Sequence, residues 1–558
     1  MKKKWWKESV VYQIYPRSFK DSNGDGIGDL QGVVEKLDYL KRLGIDVIWL
    51  CPIYKSPNDD NGYDISDYQD ILNEFGTMED FEKLLDEAHK LGIKVIMDLV
   101  INHTSDEHPW FIESRSSREN PKRDWYIWRD GKDGKEPNNW KSIFEGSTWE
   151  YDEKTGQYYF HLFSKKQPDL NWENKEVRDT LKEMVCWWLD KGIDGFRIDA
   201  ISHIKKQPGF PDMPNPDHLD YVDAMDYTRN VEGIDEWLSD FSKDTFKKYD
   251  IMTVGEANGV TIDDADRWVG EENGYMNMIF QFEHLSLWDK EVKQPLDVVA
   301  LKKILSKWQK GLENVGWNAL FLENHDQPRS VSNIGNDRVY WKESAKMLGA
   351  LYFLMQGTPF IYQGQEIGMT NVKFANIEDY DDISMRNFYK AERAKGRPHE
   401  EIMEVVWNRS RDNSRTPMQW NAGPMAGFTT AGKSWLGLNE NYVYINVEQQ
   451  ENDPDSILNF YKQMIRIRKE NELFMYGTYD LLYPEDPKLF VYTRTLGEKQ
   501  AIIICNFSEE KTVFTCPAEL REKESTLLLK NYPEAESELS DEILLNPYET
   551  RVYELKIV

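Results

Sequence analysis

The chain has 558 residues, 40% of them hydrophobic and 13% aromatic, with a formal net charge of −29 at pH 7. That length supports more than one domain and a large core, and that charge repels nucleic acid and anionic membrane surfaces, so neither is expected as a partner. The four cysteines, Cys51, Cys186, Cys505 and Cys516, lack C-x-x-C spacing, so nothing in their pattern points to a cysteine metal or redox site.

The N-terminus, "MKKKWWKESVVYQ", is basic but has no apolar segment of the kind a secretory signal needs, and no apolar run reaches membrane-spanning length, so a soluble cytoplasmic protein is expected. "VVYQIYP" (10–16) reads as a buried strand. The next loop, "DSNGDGIGDL" (21–30), places oxygen-bearing Asp21, Asn23 and Asp25 at alternate positions, with Asp29 beyond, a spacing that suits Ca²⁺. It is not an EF-hand, because no helix enters it and loop position twelve is Gly32 rather than Glu.

"LQGVVEKLDYLKRLG" (30–44) reads as a helix stopped at Gly44, "VIWLCP" (47–52) as a strand, and 77–92 as a helix opened by a Thr77–Asp80 capping box. "KVIMDLV" (94–100) is a third strand. Strands at 195–200, 251–257, 278–284, 317–326 and 359–368 follow, separated by helices at 174–192, 233–249, 297–315 and 343–356. Eight βα units favour a closed (β/α)8 TIM barrel, here residues 1–103 and 173–478. Residues 104–172, rich in Trp, Tyr, Asn and Gly, read as an inserted subdomain after strand three. Past a final helix (455–473), residues 479–558 alternate in short apolar runs and read as a C-terminal antiparallel β-sandwich. Cys505 and Cys516 can face each other on adjacent strands there, with pairing left open.

Chemistry in such a barrel sits at the C-terminal ends of the strands. Those ends are polar: Asp98, Asn102 and His103 on strand three, Arg197 and Asp199 on strand four, Glu256 on strand five, Asn324 to Asp326 on strand seven. Alternation puts Arg197 and Asp199 on one side. One buried Asp is usually a structural hydrogen-bonding group, whereas several acids and two histidines at matching strand ends point to an active site. Three acids without metal spacing suit glycoside cleavage, which needs a nucleophile or base and a proton donor. No G-x-S-x-G elbow or phosphate-binding P-loop accompanies them.

"DLVINH", "GFRIDAISH", "VGEA" and "ENHD" resemble, in order, the four signature blocks of the α-amylase superfamily (glycoside hydrolase family 13), and "QPDLNW" (167–172) resembles its fifth. "QPDLN", the stretch from "VVYQIYPRSF" through "GDLQGV" and "RDNSRTPMQW" are similar to the oligo-1,6-glucosidase/α-glucosidase subgroup. The resemblance implies Asp199 as nucleophile, Glu256 as general acid/base and Asp326 as the third acid, which grips sugar hydroxyls with His325. It further implies His103 as a donor to the 6-hydroxyl, Arg197 as the cation that keeps Asp199 ionised, and Tyr63 and Phe163 as apolar walls. Gln167 belongs to the same pocket, and Asp60 with Arg415 resembles the pair that closes it around a chain end. The first loop then implies a structural Ca²⁺ on Asp21, Asn23, Asp25, the Ile27 carbonyl and Asp29. The subgroup often reads "YQGEEIGM" where this chain reads "YQGQEIGM", so Gln365 should alter local hydrogen bonding only.

The expected activity is that of an exo-acting, retaining α-glucosidase on short oligosaccharides, working as a monomer or weak homo-oligomer. Ala200, a small residue after the nucleophile, implies α-1,4 links of the maltose type. Alternatives within the superfamily are an oligo-1,6-glucosidase, a sucrose isomerase and a trehalose-6-phosphate hydrolase. The single Arg in "QPRSVSNIGND" favours water as acceptor over isomerisation. A barrel ectodomain of an amino-acid transporter heavy chain is a non-catalytic alternative, opposed by the retained acids.

Overall fold

The computed structural model describes residues 1–556. Eight parallel strands form the central sheet: β1 (Val11–Ile14), β2 (Val47–Leu50), β3 (Lys94–Val100), β4 (Gly195–Asp199), β5 (Met252–Glu256), β6 (Met278–Phe280), β7 (Ala319–Leu320) and β8 (Thr358–Tyr362). Neighbours run β6-β5-β4-β3-β2-β1-β8-β7, and a parallel bridge between Ile279 and Asn318 closes the ring. Every residue of β1, β2, β4 and β8 is buried. That is why these strands read as continuous apolar runs, since helices cover the outside and side chains fill the inside.

Local chemistry sets the element ends. Thr77 and Asp80 form the expected capping box on the helix Met78–Lys90. The helix Leu37–Leu43 stops at Gly44 in the left-handed conformation (φ 101°). Gly195 opens β4 at φ +143°, and a Cβ there would meet the Met252 carbonyl oxygen at 1.8 Å. β6 and β7 are shorter than the apolar runs suggest. Beyond β6, Gln281 accepts from the Glu283 amide (2.9 Å) and turns the chain into a 3₁₀ stretch, Glu283–Leu287. Beyond β7, Asn324 accepts from the Asp326 amide (2.8 Å), and Arg415 donates to the His325 carbonyl (2.9 Å). Side chains replace ladder partners there.

Residues 104–172 carry a helix, Pro109–Ser114, and a three-stranded sheet of Trp128–Arg129, Gln157–Phe160 and Trp149–Asp152. This subdomain is not built from the insert alone. Trp140–Lys141 pairs in parallel with Val222–Asp223, and Ala224 joins Trp140, Trp149 and Phe160 in one small core. The segment after β4 therefore belongs to it structurally. A second excursion follows β8: helices Ile383–Ala394 and His399–Arg409 pack around Tyr380, Met385, Ile402 and Val406. After the helix Ile457–Glu470, a five-stranded antiparallel sheet begins at Thr478 and a two-stranded ribbon packs with it. All four cysteines are free, so Cys505 and Cys516 do not pair.

Gln365 lies in the turn that follows β8. Its amide accepts from the Tyr362 N–H (3.1 Å) and donates to the Tyr352 and Tyr461 hydroxyls (3.2 and 3.4 Å). Among the described residues, no helix is long and apolar enough to cross a membrane.

Candidate active site

The register of β3 and β4 places Arg197 opposite Asp98, and β5 sets Val254 opposite Arg197. The Arg197 guanidinium then bonds three carboxyl groups: Nη1 donates to Asp98 Oδ1 (2.9 Å) and Asp199 Oδ1 (2.6 Å), and Nη2 to Glu256 Oε2. Asp98, wholly buried, also accepts from the Tyr63 hydroxyl (2.9 Å) and Trp49 Nε1 (3.1 Å). It fixes the arginine, which in turn holds Asp199 and Glu256 side by side.

Burial pushes Asp199 up to about 7, and Arg197 opposes it. Burial pushes Glu256 higher, to about 8, again against Arg197, and the neighbouring Asp199 and Asp326 add to the rise. The two groups interact, so their titrations are not independent, and Glu256 stands the higher of the two. Asp326 behaves oppositely. Burial works against its charge, but His325, Arg411 and Arg415 hold it well below the usual carboxylate range. Arg415 donates to its Oδ1 at 2.7 Å, and Arg411 lies 3.5 Å from the same oxygen. Burial takes His325 down to about 3, so it is neutral near pH 7 and the arginines supply the charge. Its ring stacks on Tyr63 at 5.1 Å, and Gln13 donates to its Nδ1 (2.8 Å). Nε2 lies 3.2 Å from Asp326 Oδ2 but finds no aligned partner, a donor left for a ligand hydroxyl.

The far wall joins the remaining residues. His103 Nε2 reaches the Tyr63 carbonyl (3.0 Å), Gln167 Nε2 donates to Asp60 Oδ2 (3.2 Å), and Phe163 packs 5.1 Å from the His103 ring. The pairing of Asp60 with Arg415 is corrected by the structure. Asp60 Oδ1 bonds Arg411 Nη2 (3.1 Å), and Arg415 is committed to Asp326. Arg411 opens "RDNSRTPMQW", so the signal was present. Which of two arginines in one short segment faces Asp60 depends on the turn Asp412–Arg415 and on Asp382, which accepts from Arg411 Nε (2.9 Å). A cavity of about 280 Å³, lined by Asp326, Asp382, Arg411 and Trp288, opens beside this wall.

Ala200 is buried directly after Asp199 and is left-handed (φ 44°, ψ 30°). The first loop lies at the same end of the barrel. Asp21, Asn23 and Asp25 each accept the N–H two residues on, at 3.0, 2.9 and 2.8 Å, and Asp29 caps the next helix through Gly32 N (2.7 Å). Among the described residues no three His, Cys, Asp or Glu side chains converge as a metal cluster. The loop's donor set is all oxygen and mixes carboxylates with an amide and a carbonyl, which fits a hard cation.

Two buried carboxyls held together by one arginine at the strand ends, beside a polar wall built by Asp60, Arg411 and Gln167, are an arrangement that suits glycoside cleavage on a (β/α)8 barrel. The alpha-amylase catalytic-domain model matches residues 13–477, and the alpha-amylase SusG C-terminal-domain model matches 489–552. The chain belongs to the α-amylase family. It is 61% identical over 553 residues to "Probable oligo-1,6-glucosidase 3" of Bacillus subtilis (strain 168), covering 99% of this chain and 100% of that protein. It is 55% identical to the oligo-1,6-glucosidase of Parageobacillus thermoglucosidasius, covering all of both chains. Among solved structures, Bacillus licheniformis trehalose-6-phosphate hydrolase is similar at TM-score 0.93 and 47% identity, and isomaltulose synthase from Klebsiella sp. LX3 at 0.95 and 43%, each covering 100% of both chains.

Proposed function

We propose that the protein is an exo-acting, retaining α-glucosidase that removes the terminal glucose from short oligosaccharides in the cytoplasm, as a monomer or weak homo-oligomer. The observation that carries this reading is the Arg197 bridge between Asp199 and Glu256, with Glu256 the harder to ionise. In the first step Asp199 attacks C1 while Glu256 gives its proton to the departing oxygen, leaving a glucosyl ester on Asp199. In the second, Glu256 takes a proton from water, the water oxygen attacks C1, and the ester opens. Asp326 and His325 grip hydroxyls and stabilise the oxocarbenium-like charge. The Asp60–Arg411 pair with Gln167 blocks the pocket beyond the terminal ring, which supports cleavage from chain ends.

For linkage we propose that α-1,4 bonds are preferred, because Ala200 leaves room where the departing ring of a maltose-type substrate lies close to the scissile oxygen. The second reading, α-1,6, is favoured by the relatives named oligo-1,6-glucosidase. The test is kcat/KM on maltose and isomaltose for the parent and Ala200→Val. The expected result is a higher value on maltose, reduced roughly 10–200-fold by valine with isomaltose spared. A parent that ignores maltose hands the assignment to the α-1,6 reading. Valine at positive φ also strains the backbone by roughly 1–3 kcal/mol, so melting temperatures are recorded alongside. Sucrose should yield glucose and fructose; isomaltulose as the main product would place the chain among the isomerases.

The first loop is proposed to bind a structural Ca²⁺ through Asp21, Asn23, Asp25, the Ile27 carbonyl and Asp29. It docks on the second excursion, with Asp21 N donating to the Phe428 carbonyl (3.0 Å) and Trp435 N to the Gly26 carbonyl (3.0 Å). An ion there would brace the segment that carries Arg411 and Arg415. EDTA should lower the melting temperature while leaving most activity at moderate temperature. Lost activity at an unchanged melting temperature would rule out a structural ion.

A further inference from the structure

The turn that carries Asp60 is organised around a buried acid that has no part in the mechanism above. Asp64, in the loop after β2, is wholly buried, and three donors converge on its carboxylate. The Asp59 N–H reaches Oδ2 (2.8 Å), while the Asp60 N–H (3.1 Å) and the Ser56 hydroxyl (3.0 Å) reach Oδ1. Burial pushes Asp64 up to about 7, and the charge of Asp60 adds to the rise, whereas the two amides and the hydroxyl oppose it. The backbone around it is tightly curled: Asn58, Asn61 and Gly62 are left-handed (φ 63°, 48° and 97°), a conformation that Asn and Gly tolerate best.

The two amides that Asp64 captures belong to residues whose side chains leave the turn for different partners. Asp59 Oδ2 accepts from the Ser164 hydroxyl of the insert (2.5 Å). The Ser164 N–H donates to Gln167 Oε1 (3.0 Å). An amide has one oxygen, so the Gln167 NH₂ is left for Asp60 Oδ2 and the Tyr63 carbonyl, both at 3.2 Å. Asp60 Oδ1 takes Arg411 Nη2 (3.1 Å). The circuit closes on itself, from the turn to the insert, to Gln167 and back to the turn. Its fixed point is the Asp64 carboxylate, because that group sets where the amides of Asp59 and Asp60 lie and hence where their side chains start.

We infer that Asp64 is a positioning residue: by holding the Asp59 and Asp60 amides on one carboxylate it aims Asp60 at Arg411 and Gln167, and so sets the wall that closes the pocket beyond the terminal ring. It acts through Asp60, and the inference rests on the proposed role of the Asp60–Arg411 pair.

The test is a double-mutant cycle on p-nitrophenyl α-glucoside with Asp64→Asn and Asp60→Ala. Asp64→Asn keeps the shape and removes a buried charge without stranding a cation, but it sets an NH₂ against a backbone N–H. It should cost about 10-fold or more in kcat/KM, most of it in KM. In the Asp60→Ala background the same change should cost less than about twofold, because no carboxylate is left to aim, whereas sites that act independently would keep the full factor. An equal loss in both backgrounds, or no loss in Asp64→Asn alone, overturns the inference while Asp60 keeps its role. If Asp60→Ala leaves kcat/KM unchanged, the reading of the Asp60–Arg411 pair fails and takes the inference with it. Melting temperatures are recorded alongside, since a role confined to the fold would lower the melting temperature and leave KM alone, which also overturns the inference. Should Asp64→Asn fail to fold, Ser56→Ala removes one of the three donors and runs the same cycle: KM should rise with Asp60 present and hold steady without it, and a rise that persists in Asp60→Ala counts against Asp64.

Discussion

Asp199→Ala and Glu256→Ala should each lose activity by at least the ~10²–10⁴-fold attributed to general acid–base catalysis, with Asp199→Ala the more severe because no covalent intermediate can form. Azide separates the two roles. In Asp199→Ala it can occupy the vacated space and attack the α-glucoside once, giving β-glucosyl azide. In Glu256→Ala, with a leaving group that needs no proton, the ester on Asp199 still forms and azide opens it from the other side, giving α-glucosyl azide. Exchanged products would exchange the assignments. In the parent, kcat/KM should fall as pH rises through about 8, where Glu256 loses its proton. It should also fall as pH drops below about 7, where Asp199 gains one. Both limbs belong to the coupled pair. Glu256→Gln should abolish the alkaline limb, because an amide has no proton to lose there.

The barrel was legible because its strands are short, buried on both faces and separated by amphipathic helices, and the acids because strand alternation and barrel geometry place strand ends together. What resisted reading was tertiary. Residues 205–231 look like an ordinary βα connection, yet Val222–Asp223 pairs with Trp140–Lys141 and completes the insert. The helices Ile383–Ala394 and His399–Arg409 have the apolar spacing of barrel helices, but they turn that face to each other and build a separate excursion after β8. Nothing in local periodicity names the partner of an apolar face. The same limit explains Arg411: spacing brings two arginines near the acids, and only the turn between them decides which reaches Asp60. At Ala200 the sequence offers a small side chain, whereas its left-handed backbone comes from the sharp exit of β4.

Arg197→Met should cost both the fold and the chemistry. The guanidinium is fully inside and touches three carboxyl groups, of which Asp98 is wholly buried. Removing one partner from a buried charge cluster leaves charges uncompensated, an effect worth about 3–5 kcal/mol. The cost can be met in part by protonation, and burial already pushes Asp98 up to about 6. Asp199 would follow the same course. Without Arg197 nothing opposes the burial that raises it, so the nucleophile would be protonated at neutral pH and the residual rate should be displaced toward alkaline pH. Glu256 would also hold its proton more tightly, but an acid catalyst tolerates that better than a nucleophile does. Stability and activity should therefore separate in a second protein, Arg197→Met with Asp98→Asn. Replacing Asp98 by its amide removes the most deeply buried of the stranded charges and should restore much of the melting temperature. It should not restore kcat, because Asp199 still lacks its cation. A double variant that regains stability and activity together would mean that Arg197 only supports the fold. Recovery of stability alone would identify it as the group that keeps the nucleophile ionised.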